Sequence, residues 1–214
     1  MIAPDGIKVI IITSLILILL LIITVFLPNM ALKVLSVLVG IIFLFNFYFF
    51  RDPERTIPHG KDLILSPADG TIVSIEEVEE PYYLNQKVRK VSIFLSVVDV
   101  HVNRIPVSGK VEFLRYLKGK YLVAFADKAS EENEQSIFGI KHAKGKIVFK
   151  QIAGIIARRI VYHVEKGDSV TAGDRFGMIR YGSRVDMFFP ENVILKVKLK
   201  DKVFGGESII GEFK

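Results

Sequence analysis

The chain opens with two long apolar runs. Residues 9–27 read VIIITSLILILLLIITVFL, and residues 31–50 read ALKVLSVLVGIIFLFNFYFF. Each run is close to the length of about 20 residues that a helix needs to cross a bilayer. The sequence Pro28-Asn-Met30 between them breaks a helix and favours a tight turn. We therefore predict that residues 1–50 form a transmembrane helical hairpin, with helices at about 7–27 and 31–50. A re-entrant second segment is the open alternative.

The charges that flank the hairpin predict its orientation. Arg51, Arg55 and Lys61 follow the second run, whereas the turn between the runs carries no charge. Because cytoplasmic loops carry an excess of lysine and arginine, both ends of the hairpin are expected in the cytoplasm. The domain that follows would then lie on the cytoplasmic side of the cell membrane.

The composition of the chain restricts the classes of protein it can be. It has no cysteine, which excludes a disulfide scaffold, a thiolate metal site and a cysteine nucleophile. Residues 51–214 hold 27 basic and 22 acidic side chains, a net charge of +5, because the hairpin carries two of the 29 basic and one of the 23 acidic residues. A basic domain next to a bilayer is attracted to anionic lipid head groups. No recognition-helix pattern or stacking-aromatic motif indicates nucleic acid as the partner.

Residues 51–214 are patterned as a mainly β domain. Short β-branched runs alternate with turn residues, as at residues 70–75, 91–95 and 193–199. This spacing is typical of a β-sandwich or barrel. The turns at residues 164–179 are similar to those of the barrel-sandwich hybrid fold of lipoyl and biotinyl carriers, although the chain has no modifiable lysine at a hairpin tip.

Two further stretches of this domain leave alternatives open. Residues 153–164 fit either a buried strand or a short helix. Lys196, Lys198, Lys200 and Lys202 alternate, and alternate residues of a strand share one face. That face is either an ordinary solvated one, with lysines that oppose aggregation, or a basic strip that faces lipid. Ordinary strand patterning favours the solvated face.

The first candidate site is a polar cluster at the end of an apolar strand. The strand runs into Asp99, His101, Asn103 and Arg104. Polar side chains on the loops beside a rigid scaffold are common in functional sites. The alternative is that these residues only cap a turn.

The second candidate site is the step from Gly182 to Ser183. It is not a hydrolase nucleophile elbow, because the Gly-x-Ser-x-Gly pattern is absent, and Gly-Ser is also a frequent turn dipeptide. A serine after a flexible glycine suits self-cleavage, in which the hydroxyl attacks the preceding carbonyl group. β-Elimination and hydrolysis then convert the serine into a pyruvoyl group.

Several short motifs, in their order and spacing, resemble the short form of the phosphatidylserine decarboxylase family over most of the chain. Besides the hairpin, the matching motifs are Phe49-Phe-Arg-Asp-Pro-Glu-Arg55, Ser66-Pro-Ala-Asp-Gly70, Asp99-Val-His-Val-Asn-Arg-Ile-Pro106, Asn133-Glu134, Phe176-Gly-Met-Ile-Arg-Tyr-Gly-Ser183 and Gly205-Gly-Glu-Ser208. The resemblance implies a carboxy-lyase of phospholipid biosynthesis, made as a zymogen, that converts phosphatidylserine to phosphatidylethanolamine and CO2. Archaetidylserine is the alternative substrate for the same chemistry.

The resemblance also implies roles for individual residues. Ser183 matches the self-cleavage serine, so that autocatalytic cleavage after Gly182 would give chains of residues 1–182 and 183–214 that remain associated. Ser183 would become the covalently bound pyruvoyl cofactor, whose carbonyl forms a Schiff base with the substrate amine. Neither pyridoxal phosphate nor a metal is expected. His101 would be the base on the Ser183 hydroxyl, and Asp69 would orient it.

One position departs from the family pattern. Longer members often carry a second histidine three positions after the first, where this chain has Arg104. His101 therefore either serves both maturation and decarboxylation, or Arg104 holds a carboxylate or a phosphate. Arg104, Asn133 and Glu134 are candidate substrate-binding residues. The expected partners are the membrane, an anionic phospholipid and further copies of the chain, because the family suggests a dimer or a larger homo-oligomer.

A membrane-anchored, lipoyl-like adaptor without enzymatic activity is the competing interpretation. Such adaptors also combine an N-terminal span with a β domain. They usually need a long helical hairpin of heptads, which this sequence lacks. A metal-dependent membrane transferase fits less well, because the sequence has no clustered metal ligands.

Overall fold

The computed structural model describes residues 1–120, 132–154, 160–179 and 183–214. These residues form two compact units, Met1–Glu54 and Arg55–Lys214. The first unit holds two helices, and the second is mainly β. The units divide after Glu54, whereas the sequence pattern put the domain boundary after residue 50.

Two apolar helices make up the first unit, as predicted. Helix α1 spans Pro4–Phe26 and helix α2 spans Met30–Phe49. A proline in the first turn of a helix loses no hydrogen bond, so Pro4 suits the start of α1. Asn29 caps α2, because its side chain accepts a hydrogen bond of 2.8 Å from the backbone N–H of Ala31. Both helices are long and apolar enough to cross a membrane, judged by length and composition.

Polar side chains join the two helices. Asn46 Nδ2 donates to Thr13 Oγ1 across 3.3 Å, and the hydroxyl groups of Thr24 and Ser36 lie 3.3 Å apart. Asn46 and Ser36 are buried, although many of the apolar side chains on these helices are exposed. Hydrogen bonds of this kind align two apolar helices where the surroundings offer little water. The apolar exterior and the polar contacts within the pair are consistent with association with a membrane.

The described residues of the second unit form fourteen strands. Their bounds are β1 Leu63–Leu65, β2 Gly70–Glu80, β3 Gln86–Leu95, β4 Val102–Arg104, β5 Gly109–Leu117, β6 Gln135–His142, β7 Gly145–Ala153, β8 Ile160–Tyr162, β9 Ser169–Val170, β10 Arg175–Ile179, β11 Ser183–Phe189, β12 Val193–Leu195, β13 Lys202–Val203 and β14 Ile209–Phe213. Eight of them form one curled sheet, a half-barrel, in the order β13-β2-β3-β11-β7-β6-β5-β9. Two three-stranded sheets have the orders β1-β14-β12 and β4-β10-β8. The predicted mainly β domain is confirmed.

The inner face of the half-barrel carries the main hydrophobic core. Phe138 of β6 and Phe149 of β7 are paired across the sheet, and their rings stack with centroids 5.0 Å apart. Phe176 of β10 meets both rings edge-on, at 5.2 Å and 5.4 Å. Offset and edge-on arrangements are those that aromatic rings prefer. The sheet β4-β10-β8 therefore packs against the inner face of the half-barrel.

The structure corrects the predicted strip of lysines. Strand β12 ends at Leu195, so the predicted strand over residues 193–199 is too long. The chain then turns, with the N–H of Lys198 donating to Asp201 Oδ2 across 2.9 Å and with a φ of 72° at Lys200. Lys202 belongs to a separate strand, β13. The four alternating lysines do not share one strand face, because a turn interrupts the extended backbone that alternation requires.

The ambiguous stretch over residues 153–164 is settled in part. Residues 160–162 form strand β8, which favours the strand interpretation for this part of the stretch. Residues 155–159 lie outside the described residues. Strand β8 pairs with β10 and thereby borders the region that contains the candidate site.

Candidate active site

Ser183 is the first residue of β11, a central strand of the half-barrel. It pairs with Leu95, the last residue of β3, on one side and with Ala153, the last residue of β7, on the other. The side chain is fully buried, and its Oγ has no hydrogen-bond partner among the residues that the structure describes. An unpaired buried hydroxyl costs about 1–3 kcal/mol and calls for a functional explanation. Gly182, the other residue of the predicted cleavage site, lies outside the described residues.

His101 lies on the segment that joins β3 to β4. The segment begins after Leu95, the residue that pairs with Ser183. The histidine ring is fully buried, and its Nδ1 lies 2.9 Å from the carbonyl oxygen of Asp99. Because a carbonyl oxygen only accepts, Nδ1 must carry the proton, and Nε2 is then the basic nitrogen of the neutral ring. The backbone thus fixes the tautomer in which Nε2 can take up a proton.

Asp99 shapes the same segment. Its carboxylate accepts hydrogen bonds of 2.9 Å and 2.8 Å from the N–H and the hydroxyl of Ser96, and one of 2.7 Å from Lys202 Nζ. Burial alone would raise the pKa of Asp99, but the hydrogen bonds from Lys202 and Ser96 outweigh it and hold the pKa below its ordinary value. The ionised carboxylate therefore closes the turn whose carbonyl group binds His101.

Asp69 lies in a buried cluster of charges. Its carboxylate accepts two hydrogen bonds from Nη2 of Arg55, at 2.9 Å and 2.7 Å, and one of 2.8 Å from the backbone N–H of Gly205. Arg55 Nη1 donates to Glu207 across 2.9 Å. Three motifs that lie far apart in the sequence, around Arg55, Asp69 and Glu207, thus meet at one point.

The pKa values in this cluster reflect both burial and pairing. Burial raises the pKa of the Asp69 carboxyl above its ordinary value, against the opposing effects of Gly205 and Arg55. Burial lowers the pKa of Arg55, but Asp69 and Glu207 outweigh this effect and raise it. The prediction that Asp69 orients His101 stays a prediction. The contacts described above join this carboxylate to Arg55 and Gly205, and join Nδ1 of His101 to Asp99.

The three candidate substrate-binding residues are all buried. Arg104 Nη1 donates to the carbonyl oxygen of Gly173 across 3.0 Å. Asn133 Nδ2 donates to the carbonyl oxygen of Ala153 across 2.7 Å, and the N–H of Ala153 donates to the carbonyl oxygen of Glu134 across 2.9 Å. Asn133 and Glu134 therefore hold the end of β7 beside the predicted cleavage site. Their roles in substrate binding, and that of Arg104, stay predictions.

A further group of polar side chains joins Asn103, which the sequence placed in the first candidate site, to Gln151 and Ser136, for which the sequence predicted no role. Gln151 Nε2 of β7 donates to Asn103 Oδ1 of β4 across 2.8 Å, and Ser136 of β6 pairs with Gln151 across the sheet. All three residues are fully buried. Asn103 Nδ2, Gln151 Oε1 and Ser136 Oγ have no hydrogen-bond partner within the described part of the chain. The sequence offers little signal for Gln151, which follows Lys150 near the end of β7.

The surroundings of Ser183 and His101 suit a prosthetic group that is made from Ser183 itself. A pyruvoyl precursor needs a serine hydroxyl that is not already engaged, and a base that can take its proton. The Ser183 hydroxyl has no hydrogen-bond partner among the described residues, and His101 offers a basic Nε2. Within the described ranges, no cluster of three or more His, Asp or Glu side chains could hold a metal ion.

Comparison with known proteins identifies the family. The sequence model of the phosphatidylserine decarboxylase family matches residues 42–211. A phosphatidylserine decarboxylase proenzyme of a Wolbachia species is 54% identical over 168 residues, which cover 76% of this chain and 73% of the relative. Proenzymes of the same name from Carboxydothermus hydrogenoformans and Geotalea uraniireducens are 47% and 44% identical, over 84% and 88% of this chain and 85% and 89% of the relatives. The chain therefore belongs to the phosphatidylserine decarboxylase family, a family of carboxy-lyases.

Proposed function

We propose that this protein is a phosphatidylserine decarboxylase that matures by cutting its own backbone between Gly182 and Ser183. The observation that carries the proposal is the buried Ser183 hydroxyl, which has no hydrogen-bond partner among the described residues. The names of the relatives, which are all proenzymes of phosphatidylserine decarboxylase, support it. Cleavage would leave residues 1–182 and 183–214 as two associated chains.

Maturation begins with the transfer of the Gly182 acyl group from the nitrogen to the side-chain oxygen of Ser183. His101 Nε2 takes the proton of the Ser183 hydroxyl, and Oγ attacks the carbonyl carbon of Gly182. The peptide C–N bond then breaks, the nitrogen of Ser183 receives the proton, and an ester joins the two residues. General base assistance of this kind contributes about 10²–10⁴-fold to a rate.

Elimination completes the maturation. Loss of the Cα proton breaks the Cβ–Oγ bond, which releases residues 1–182 with a free carboxylate and leaves dehydroalanine at position 183. Addition of water and loss of ammonia leave a pyruvoyl group at the head of residues 183–214. Once present, this group supplies an electron sink for the charge that decarboxylation leaves next to nitrogen.

The surroundings of Ser183 support a reaction in which the serine head group of a lipid loses its carboxylate. Ser183 lies on the buried inner face of the half-barrel, where charge interactions are stronger than in water. The Nε2 of His101 can hold the proton that replaces the lost CO2. The products would be CO2 and phosphatidylethanolamine. Archaetidylserine is the alternative substrate, and the names of the relatives favour phosphatidylserine.

The N-terminal helices and the basic domain support a place at the membrane. The helices would anchor the chain in the cell membrane, with the catalytic unit on the cytoplasmic side according to the flanking charges. Residues 51–214, with a net charge of +5, would be attracted to anionic lipids, which include the substrate.

The mass of the denatured protein tests the proposal. We expect wild type to give two chains, of which the smaller begins at position 183 with a blocked, carbonyl-reactive end. Ser183→Ala should give one chain of 24.1 kDa and no release of CO2 from phosphatidylserine. Ser169→Ala, which removes an exposed hydroxyl from β9, four strands away from β11 in the half-barrel, is the control and should mature like wild type. A wild-type protein that stays in one piece, or a Ser183→Ala variant that is still cut, would overturn the proposal.

A further inference from the structure

Unpartnered buried polar atoms concentrate around Ser183. Five side chains in the described ranges have a buried nitrogen or oxygen without a hydrogen-bond partner; they are Asn103, Gln135, Ser136, Gln151 and Ser183. Gln151 pairs with Ser136 and with Val185, and Ser183 pairs with Ala153, so Ser136, Gln151 and Ser183 share the inner face of the half-barrel. Gln135 pairs with Ile152 and lies on the opposite face.

The distances within this group suit a small ligand. Gln151 is the diagonal neighbour of Ser183 across β7 and β11, a relation that places two residues about 7 Å apart. Ser136 is the direct neighbour of Gln151 on β6. Asn103 reaches Gln151 from β4 through a hydrogen bond of 2.8 Å. The group therefore spans the interface between the half-barrel and the sheet β4-β10-β8.

The chemistry of the unpartnered atoms is complementary to an α-amino acid. Asn103 Nδ2 is a donor, Gln151 Oε1 is an acceptor, and the hydroxyl of Ser136 can be either. A carboxylate needs donors, and an amine N–H needs an acceptor. In a serine head group the amine and the carboxylate are attached to the same carbon, whereas the phosphate is separated from that carbon by a methylene group and an oxygen atom. The group that arrives beside residue 183 together with the amine is therefore the carboxylate.

We infer that Asn103, Gln151 and Ser136 bind the amino acid part of the substrate head group. The amide of Asn103 donates to the carboxylate that will be lost, and Gln151 Oε1 accepts from the amine as it approaches residue 183. The hydrogen bond from Gln151 to Asn103 Oδ1 sets the direction of both amides. All three residues are fully buried. This inference rests on the proposed function.

Asn103→Leu tests the inference, because leucine has a similar volume and no N–H group. The matched control is Gln135→Leu, which removes a buried amide on the opposite face of the half-barrel. Both variants should be cut like wild type on a denaturing gel. With phosphatidylserine in mixed micelles, Asn103→Leu should raise KM by about tenfold or more, which is the effect of losing one hydrogen bond to a charged group. The control should stay within about twofold of wild type.

Inhibition by phosphatidylethanolamine isolates the contact to the carboxylate. This lipid keeps the amine and lacks the carboxylate, so its inhibition constant should be unchanged in Asn103→Leu. Ser136→Ala, which loses a single oxygen atom, provides a second variant and should raise KM by about threefold or more. An unchanged KM in both variants would overturn the inference. So would loss of cutting in Asn103→Leu with normal cutting in the control, because the group would then serve maturation. If wild type is neither cut nor active, the proposed function itself fails.

Discussion

At the scale of single residues, two histidines of this chain make similar contacts in different surroundings. His101 and His142 are both buried, and each has a ring nitrogen near a backbone carbonyl oxygen, at 2.9 Å from Asp99 and at 3.0 Å from Lys61. The ring of His142 is also stacked on Phe213. His101 alone lies on the segment that leaves the strand paired with Ser183. Substitution of His101 and of His142 therefore offers a matched test of the proposed base.

His101→Ala should slow self-cleavage by about 100-fold or more, because general base assistance typically contributes that much. His142→Ala should mature at the wild-type rate, although it loses ring packing. The rates can be followed by the appearance of the small chain on a denaturing gel after synthesis in a cell-free system. Equal rates for His101→Ala and wild type would assign the base to another group.

Asp99 is expected to make the stability of the protein depend on pH. Its pKa in the folded protein lies below the value in the unfolded chain, so its contribution is fully present above the unfolded pKa of about 4 and is lost as pH falls through the folded pKa. Asp99→Asn should therefore lower the free energy of unfolding by about 1 kcal/mol at pH 7, since Lys202 is half exposed and the pair is screened.

The measurement is urea denaturation in detergent from pH 3 to pH 7. The difference between wild type and Asp99→Asn should shrink below about pH 4. Glu191→Gln, an exposed carboxylate at the turn between β11 and β12, is the control. A difference that keeps its size across the whole range would contradict the ionic role of Asp99.

At the scale of structural elements, Arg55 joins the start of the β unit to two later loops. It is 9% exposed and pairs with Asp69, which is 8% exposed, and with Glu207. The backbone N–H of Gly205 also donates to Asp69. These contacts fasten the segment before β1, the turn before β2 and the turn after β13 to one another. Such a buried ion pair contributes more to the positions of the segments that it joins than to the net stability of the fold, because the cost of desolvation offsets much of the attraction.

Asp69→Asn should destabilise the protein by about 3 kcal/mol, because it leaves the charge of Arg55 only partly compensated in a buried place. Lys120→Ala, which breaks the exposed pair with Glu132, should cost less than about 1 kcal/mol. Thermal or urea unfolding in detergent gives both values. A variant that is as stable as wild type but matures slowly would instead support the predicted role of Asp69 in orienting His101.

The predicted bounds of helices and strands were accurate where the sequence pattern was local and continued over many residues. The two helices follow from uninterrupted apolar runs, and the observed helices begin and end within a few residues of the predicted bounds. The strand predicted at 193–199 was too long, because the alternation of lysines continues through a turn. Alternation in a sequence does not report the turn that follows β12, in which Lys200 has a left-handed φ.

At the scale of the whole molecule, the chain combines an apolar helical unit with a basic β unit. The exposed apolar side chains of the helices are consistent with association with a membrane. The net charge of +5 on residues 51–214 would add only an attraction that salt screens. The two kinds of attachment can therefore be separated by experiment.

The full-length protein should remain in the membrane fraction after a wash with high salt and alkaline carbonate. This treatment removes proteins that are held by charge alone, because the Debye length falls to about 3 Å at 1 M salt. Immunoblotting of the washed membranes and the supernatant gives the answer. Release into the supernatant would contradict an anchor that spans the bilayer.

Protease added to inside-out vesicles should cut the β unit, and protection of the β unit from the protease would contradict the proposed cytoplasmic orientation.

The sequence by itself determined the apolar helices, the β class of the second unit, the family, and Ser183 and His101 as candidates. Each of these depends on residue type and spacing along the chain, which hydrophobic periodicity and short motifs report directly. Only the tertiary structure showed that Arg55, Asp69 and Glu207 meet and that a backbone carbonyl fixes the tautomer of His101. It also showed that Asn103, Gln151 and Ser136 have polar atoms without a partner in the described part of the chain. Hydrogen-bond partners and burial are decided by strand pairing between distant segments, and no local pattern in the sequence records that pairing.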